Sequence, residues 1–241
     1  LRPDTACIIS TLASNVTGKE ISERTLSRVA AENGLDLILD ASQAIGHREI
    51  NLASSPCTAL CAPAHKGLYG IQGLGFTVFK DTARRSDFIE GGSGSNSISR
   101  DMPDLLPEGY EAGTLSTPAI AALGAGIDYI RDCGISELRE RAARLSDKIK
   151  YRIDSINNSI LYPSYGDIIS FNIGNIPSSA VARELDGRGI CVRAGLHCAP
   201  SAHEKLGTLG RGTVRISLSS FNTEREIDRL YKALREISRG I

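Results

Sequence analysis

Residues 5–43 read TACIISTLASNVTGKEISERTLSRVAAENGLDLILDASQ, and this stretch decides the fold class. Residues 5–12 are apolar and β-branched and run into the polar SNVTG at 14–18, the pattern of a buried strand entering a loop. From 21 to 33 the apolar residues Ile21, Leu26, Val29 and Ala30 recur at helical spacing, and Gly34 supplies a stop. LDLILDASQ at 35–43 is a continuous apolar run closing on an acid. Strand, helix, strand with short connections is the βαβ unit of a parallel sheet covered on both faces. Polar residues at the ends of such strands, here Asn15, Asp40 and Gln43, are where these sheets place their ligands.

Outward from this unit, 58–64 and 74–80 read as further strands separated by HKGLYGIQG at 65–73, whose glycines permit tight backbone. Gly70, Gly73 and Gly75 form a GxxGxG pattern, but it lies between strands instead of opening a helix and reads as turn chemistry. The glycine-rich GGSGSNS at 91–97 lacks the Lys-Ser/Thr ending of a P-loop. Helices are expected over 117–132 and 136–157, the second with apolar spacing at Leu138, Leu145 and Ile149. Beyond them IISFNI (168–173), ICVRAG (190–195) and TVRISLS (213–219) alternate with helical stretches at 178–188 and 223–238. That is a second α/β unit, so the chain divides into 1–132 and 133–241, with the boundary inside the helical link.

Composition narrows the function. The 28 basic and 28 acidic residues cancel, so no global field favours nucleic acid or an anionic membrane. At 41% hydrophobic and 23% charged the chain is an ordinary globular one, and its longest nearly apolar stretch, 119–127, is too short for a bilayer. No signal peptide is visible, so a cytoplasmic protein is expected. The six cysteines then read as reduced thiols, most of them small buried hydrophobes. Cys57, Cys61 and His65 would share one face of a helix, but no fourth ligand accompanies them and no metal is expected. The chain opens on Leu1-Arg2-Pro3 with Met102 its only methionine, so it reads as part of a longer product.

Several pieces stand out together: Asn15 after a strand, Asp40-Ala41-Ser42-Gln43 after the next, Ala64-His65-Lys66 after the third, and RAGLHCA at 193–199 in the second unit. Their order and spacing resemble the class V aminotransferase branch of the pyridoxal phosphate enzymes of fold type I. Within that branch they look most like the cysteine desulfurase and selenocysteine lyase family. The resemblance covers nearly the whole chain, through SNVTG, LDASQ, HKGLYG, EAGTLSTP, VRAGLHCAP and TVRISLSSFNT. It implies the PLP-dependent transferase fold type I: an N-terminally incomplete large domain (1–132) with a mainly parallel sheet, and a small C-terminal α/β domain (133–241) carrying the active cysteine.

The residue chemistry agrees with that resemblance. A lysine at a strand end forms an imine with an aldehyde once its amine is partly neutral, and Lys66 is the candidate. By resemblance Asp40 pairs with the pyridinium nitrogen of pyridoxal 5'-phosphate, Gln43 bonds its phenolic oxygen, and Asn15 and His65 lie at the same cofactor. Thr114 matches the threonine that reaches the phosphate of the neighbouring subunit, which implies a homodimer with shared sites. Arg215 matches the clamp on the substrate carboxylate, a bidentate task suited to a planar fork, with Arg193 assisting and His197 nearby. The resemblance further implies that Cys198, as thiolate, attacks the sulfur of bound L-cysteine, releasing L-alanine and becoming a persulfide that passes to an acceptor protein or a reductant.

The pattern departs from the family in places. Position 63 usually carries a phosphate-binding Ser or Thr; Pro63 has neither hydroxyl nor N–H. Leu196 replaces a histidine of the related GHHC motif, and the upstream segment that stacks on the cofactor is absent. Two alternatives therefore stand beside the cysteine desulfurase: another class V enzyme, such as a selenocysteine lyase or an aminotransferase, and a catalytically incomplete fragment.

Overall fold

The computed structural model describes residues 1–80, 89–95 and 98–240; the last two residues of the GGSGSNS stretch lie outside them. Strand β1 (Cys7–Thr11), helix α1 (Glu23–Glu32) and strand β2 (Asp36–Asp40) form the expected βαβ unit. The Ser22 side chain caps α1 by accepting from the Thr25 amide, and Gly34 takes φ +61° just beyond its end. Strand β3 (Ala59–Pro63) runs parallel to β2, whereas β4 (Gly75–Phe79) is antiparallel to β3. The reversal follows from the linker: the 64–74 turn is too short for the crossover that a parallel neighbour needs.

The first sheet has the order β1-β2-β3-β4, and its core gathers Leu12, Leu37, Leu39 and Leu60, none more than 1% exposed. Strand β1 departs from the buried strand expected of residues 5–12. It is the sheet edge, and Ile9 is 70% exposed because no described element covers that face. The ends of β1, β2 and β3 emerge on one edge and send out the loops bearing Asn15, Gln43 and Lys66.

Helix α2 (Thr117–Cys133) and α3 (Ile135–Asp154) meet at Gly134, φ +81°. The second sheet follows: β5 (Ser159–Leu161), β6 (Ile168–Ile173), β7 (Arg193–Gly195) and β8 (Thr213–Ser217), in the order β5-β6-β8-β7 and antiparallel throughout. Helices α4 (Ser178–Asp186), α5 (Pro200–Leu206) and α6 (Glu224–Arg239) complete this half. Its core joins Ile149 and Ile153 of α3, Phe171 of β6, Leu185 of α4 and Leu234 of α6, all fully buried. Helix α6 opens with a reciprocal capping box between Thr223 and Glu226.

The SNVTG loop fastens the halves together. Thr17 O accepts the Tyr165 amide at 2.7 Å, and Val16 O accepts the buried Ser170 hydroxyl at 2.6 Å. At Gly18, φ +70°, a Cβ would lie 2.1 Å from Tyr165 O, so only glycine lets these backbones approach.

The expectation for the cysteines needs correction. Cys57 alone is buried, Cys61 is half-buried, and Cys7, Cys133, Cys191 and Cys198 are exposed. The prior for small apolar side chains ignores that Cys7 lies on an edge strand, Cys133 at a helix end, and Cys191 and Cys198 in connections. Cys61 lies on β3, so Cys57, Cys61 and His65 share no helical face.

Candidate active site

Lys66 opens a tight turn at the end of β3. The Tyr69 amide donates to Lys66 O at 3.0 Å, the Gly70 amide to Ala64 O at 2.9 Å, and Tyr69 takes φ +58°. The turn is pressed on the loop that carries Gln43. A Cβ at Gly67 would stand 2.1 Å from Ile45 O, and one at Gly46 would stand 2.0 Å from Gly67 O. These glycines thus lock the lysine turn to the β2 loop, a role no motif in the linear sequence announced.

The half-buried Lys66 lines a cleft of about 260 Å³ with Gln43, His47, Tyr69, Asp167 and Arg215. Burial pushes its amine below the usual lysine value; Asp40 opposes this, and the charges of Arg215 and Arg193 add to it. Asp40, at the end of β2, accepts the Ser42 amide at 2.8 Å and so shapes the turn that leads to Gln43. His65 is exposed and is not among the residues lining the cleft. Thr114 is also exposed and lines a different cleft, of about 900 Å³, with Glu90, Arg100 and Asp101.

The second sheet brings Arg215 to this cleft, whereas Arg193, His197 and Cys198 are not among the residues lining it. Arg193 and Arg215 face each other in the β7–β8 register. Burial, and secondarily the like charge of Arg193, lower the proton affinity of Arg215, while Asp167 raises it. Arg215 donates from Nη1 to Asn15 O at 2.8 Å, and its buried Nε has no partner among the described residues. Arg193 donates from Nη2 to Cys198 Sγ at 3.8 Å.

The cysteine turn itself is unusual. His197 and Cys198 both adopt left-handed backbone, φ +53° and +59°, which non-glycine residues rarely do. Asn15 donates from Nδ2 to His197 O at 2.6 Å and ties this turn to the large half. His197 is only 3% exposed, its Nε2 standing 3.2 Å from Thr213 Oγ1. Burial foremost, then the charges of Arg215, His203 and Arg193, push its imidazole down to about 4.

Sequence reasoning missed further residues here. His47 Nδ1 stands 3.2 Å from Asp167 Oδ2 across the halves, and Tyr69 Oη lies 3.0 Å from Ser220 Oγ. The Tyr69 ring also packs edge-on against Tyr129 and Phe221. His203 lies fully buried behind His197. Pro200 at the first position of α5 was the available signal for a helix there.

Comparison with known proteins places this geometry. A probable cysteine desulfurase of Methanothermobacter thermautotrophicus is 34% identical over 245 residues, spanning 97% of this chain and 61% of that protein. A cysteine desulfurase of Salmonella agona is 30% identical over 245 residues, spanning 98% of this chain and 59% of its own. The apo cysteine desulfurase of Thermococcus onnurineus superposes with a TM-score of 0.84 at 26% identity, over 97% of this chain and 60% of that one. A cysteine desulfurase of Escherichia coli in its S-sulfonic acid form gives a TM-score of 0.92 at 22% identity, covering 100% of this chain and 61% of that one. The fold is therefore the PLP-dependent transferase fold type I over partial length, and the chain spans about three fifths of the relatives it matches. The aminotransferase class-V profile matches residues 1–230, through the lysine turn, the cysteine turn and the β8 arginine alike, and the chain belongs to that family.

Proposed function

We propose that the chain carries the lysine and the cysteine of a pyridoxal phosphate-dependent cysteine desulfurase, which converts L-cysteine to L-alanine and leaves a persulfide on Cys198. One observation carries this reading: a single arginine pair serves both reagents. Arg193 contacts Cys198 Sγ, and its charge, with that of Arg215, acts on Lys66. The relatives named cysteine desulfurase support it. Because the chain spans about three fifths of them, the activity is assigned to the whole protein. We further propose that the division into 1–132 and 133–241 is the one across which the site is built.

The residues present fit the cofactor's reactive ring. The Lys66 amine has no hydrogen-bond or ion-pair partner among the described residues and is held less basic than usual, as bonding to an aldehyde requires. Asp40 suits a pyridinium nitrogen, and Gln43 suits a phenolic oxygen. Pro63 offers no donor to a phosphate, so the contact from that position is lost; Thr114 would separately reach the phosphate held by a second copy of the chain. When bound, the cofactor supplies an electron sink for a carbanion at the substrate α-carbon.

The protein's own groups do the rest. Arg215, with its unpartnered Nε, receives the substrate carboxylate. Lys66 Nζ takes the α-proton. Cys198 Sγ attacks the substrate sulfur; the electron pair of the broken C–S bond stays on carbon and is protonated, so cysteine and the enzyme thiol yield alanine and the enzyme persulfide. An acceptor protein or reductant removes that sulfur. L-selenocysteine would engage the same groups.

The whole protein, supplied with pyridoxal phosphate and L-cysteine, is expected to release alanine and gain one sulfur atom on the Cys198 peptide by mass spectrometry. Full sulfur release by Cys198→Ala refutes the mechanism. A Lys66→Ala variant that retained the cofactor's lysine-bound visible absorbance refutes the lysine assignment.

A further inference from the structure

The lysine cleft holds charges of both signs that do not meet. Lys66 and Arg215 are its cations, and Asp167 is the one acidic residue among those lining it. The charge of Asp167 acts on Arg215, yet no hydrogen bond or ion pair joins the two among the described residues. The one side-chain contact of Asp167 is from Oδ2 to His47 Nδ1, at 3.2 Å; its Oδ1 has no partner among the described residues. The Asp167 side chain is 19% exposed, so its charge is largely withdrawn from water and still within reach of a ligand. Asp167 also borders a neighbouring cleft of about 500 Å³, but the guanidinium groups there, Arg48 and Arg139, already hold Glu20 at 3.3 and 3.4 Å.

The backbone fixes this acid beside the arginine. Gly166 turns the chain at φ +60°, and Asp167 stands immediately before β6. Ile168 pairs with Ser217, and the Leu218 amide donates to Asp167 O at 2.9 Å, so Asp167 extends the ladder that carries Arg215. His47 ties the acid to the lysine turn as well, since a Cβ at Gly67 would stand 2.7 Å from His47 Cδ2. Acid, arginine and lysine turn are thereby held relative to one another. A carboxylate and a guanidinium kept apart in one small cleft complement a ligand that carries a cation and an anion of its own. An α-amino acid is such a ligand: its ammonium and carboxylate are separated by a single carbon.

We propose that Asp167 binds the α-ammonium of the incoming amino acid while Arg215 takes its carboxylate, with His47 holding the acid in place. This deepens the functional reading above, because it rests on Arg215 as the carboxylate clamp and adds a second anchor of opposite sign. Bonds between ionised partners are the strong ones, and two of them fix the orientation of a ligand as well as its affinity. The acid also supplies selectivity. A carboxylic acid without the amine meets Asp167 as a like charge with nothing to donate to it, so α-amino acids are preferred over simple carboxylic acids.

The test measures binding to the whole, cofactor-loaded protein by calorimetry, with two probes of one shape. N,N-dimethylglycine carries an ammonium N–H and a carboxylate, and its tertiary nitrogen forms no imine; 3-methylbutanoate has carbon in place of that nitrogen. The unsubstituted protein is expected to bind N,N-dimethylglycine roughly 10-fold more tightly than 3-methylbutanoate. Asp167→Asn is expected to weaken N,N-dimethylglycine by roughly 10-fold and to leave 3-methylbutanoate unchanged or tighter, since a negative charge has left the side of Arg215. Asp167→Ser, smaller and equally uncharged, serves as the second neutral variant should Asp167→Asn not fold, and Asp167→Glu is expected to restore the preference. A merely structural acid would weaken both probes together, and that result overturns the proposal. So does an unsubstituted protein that shows no preference or binds neither probe, or a neutral variant that keeps the preference. Failure of the desulfurase reading appears elsewhere, as absent alanine release from L-cysteine by a protein whose probe preference is intact.

Discussion

Replacing Asn15 by alanine tests how the cysteine turn is held. His197 and Cys198 sit at φ +53° and +59°, a conformation that costs roughly 1–2 kcal/mol for each non-glycine residue. Against that strain stand the Asn15 Nδ2 bond to His197 O at 2.6 Å, the His197 Nε2 contact with Thr213 Oγ1 at 3.2 Å, and the Ala199 amide bond to Leu196 O at 2.9 Å. At about 1 kcal/mol net for each, these holds only balance the strain, so losing one matters. Asn15→Ala removes roughly 0.5–1.5 kcal/mol and should raise the opening equilibrium of the turn about 2- to 13-fold. The Arg215 bond to Asn15 survives, because its acceptor is the backbone carbonyl. Hydrogen exchange resolved at the Ala199 amide reads the opening, with an amide in the α6 core, such as that of Leu234, as the reference for global unfolding. Acceleration at Ala199 and little change at Leu234 is the expected result. Unchanged exchange at Ala199, or an equal acceleration at both amides, refutes the idea that Asn15 acts locally on this turn.

Further outcomes follow from the same geometry. The folded His197 imidazole titrates near 4 against an ordinary value of 6.5, so the unfolded chain binds more protons between those values. Stability is therefore expected to fall as pH drops from 6.5 toward 4, by about 2–3 kcal/mol, and urea denaturation across that window should show a shallower fall in His197→Gln. Gly67→Ala drives a Cβ to 2.1 Å from Ile45 O and is expected to cost about 3 kcal/mol in denaturant titration; a loss below ~1 kcal/mol would contradict the close approach. Tyr69→Phe keeps the ring contacts with Tyr129 and Phe221 but drops the bond to Ser220, and a loss of about 1 kcal/mol is expected from the same titration.

The strands of the sheets were legible where a buried apolar run left little choice. Leu37 and Leu39 of β2 and the wholly buried IISFNI of β6 are such runs, and both became strands. Residues 5–12 look equally apolar, yet β1 is an edge strand, because the local pattern does not say which strand lies at the margin of a sheet. ICVRAG shortened to Arg193–Gly195, since Gly189 at φ +68° turns the chain and Ile190 and Val192 pack against the core before pairing begins. Strand β5 is three residues long and α5 seven, too short for a periodicity to declare itself.

At the site, residue identity was legible and partnership was not. Lys66, Gln43 and Arg215 line one cleft, each from a different element. The grip of Asn15 on the cysteine turn spans 182 residues of sequence, a separation over which no motif spacing carries information. Arg193 and Cys198 lie only five residues apart, yet their contact depends on the left-handed backbone of His197 and Cys198, which the spacing alone does not announce.

By itself, then, the sequence determined the candidate groups and most of the elements that carry them. Side-chain chemistry is intrinsic to the residue, and hydrophobic periodicity acts within one helix or strand. Only the tertiary structure decided what each group faces: an asparagine committed to a carbonyl in the other half, a histidine made neutral by burial, and a second histidine behind it. Those outcomes come from packing two independently patterned sheets against one loop, where desolvation and unpaired hydrogen-bonding atoms set the terms, and neither exists until the chain has folded.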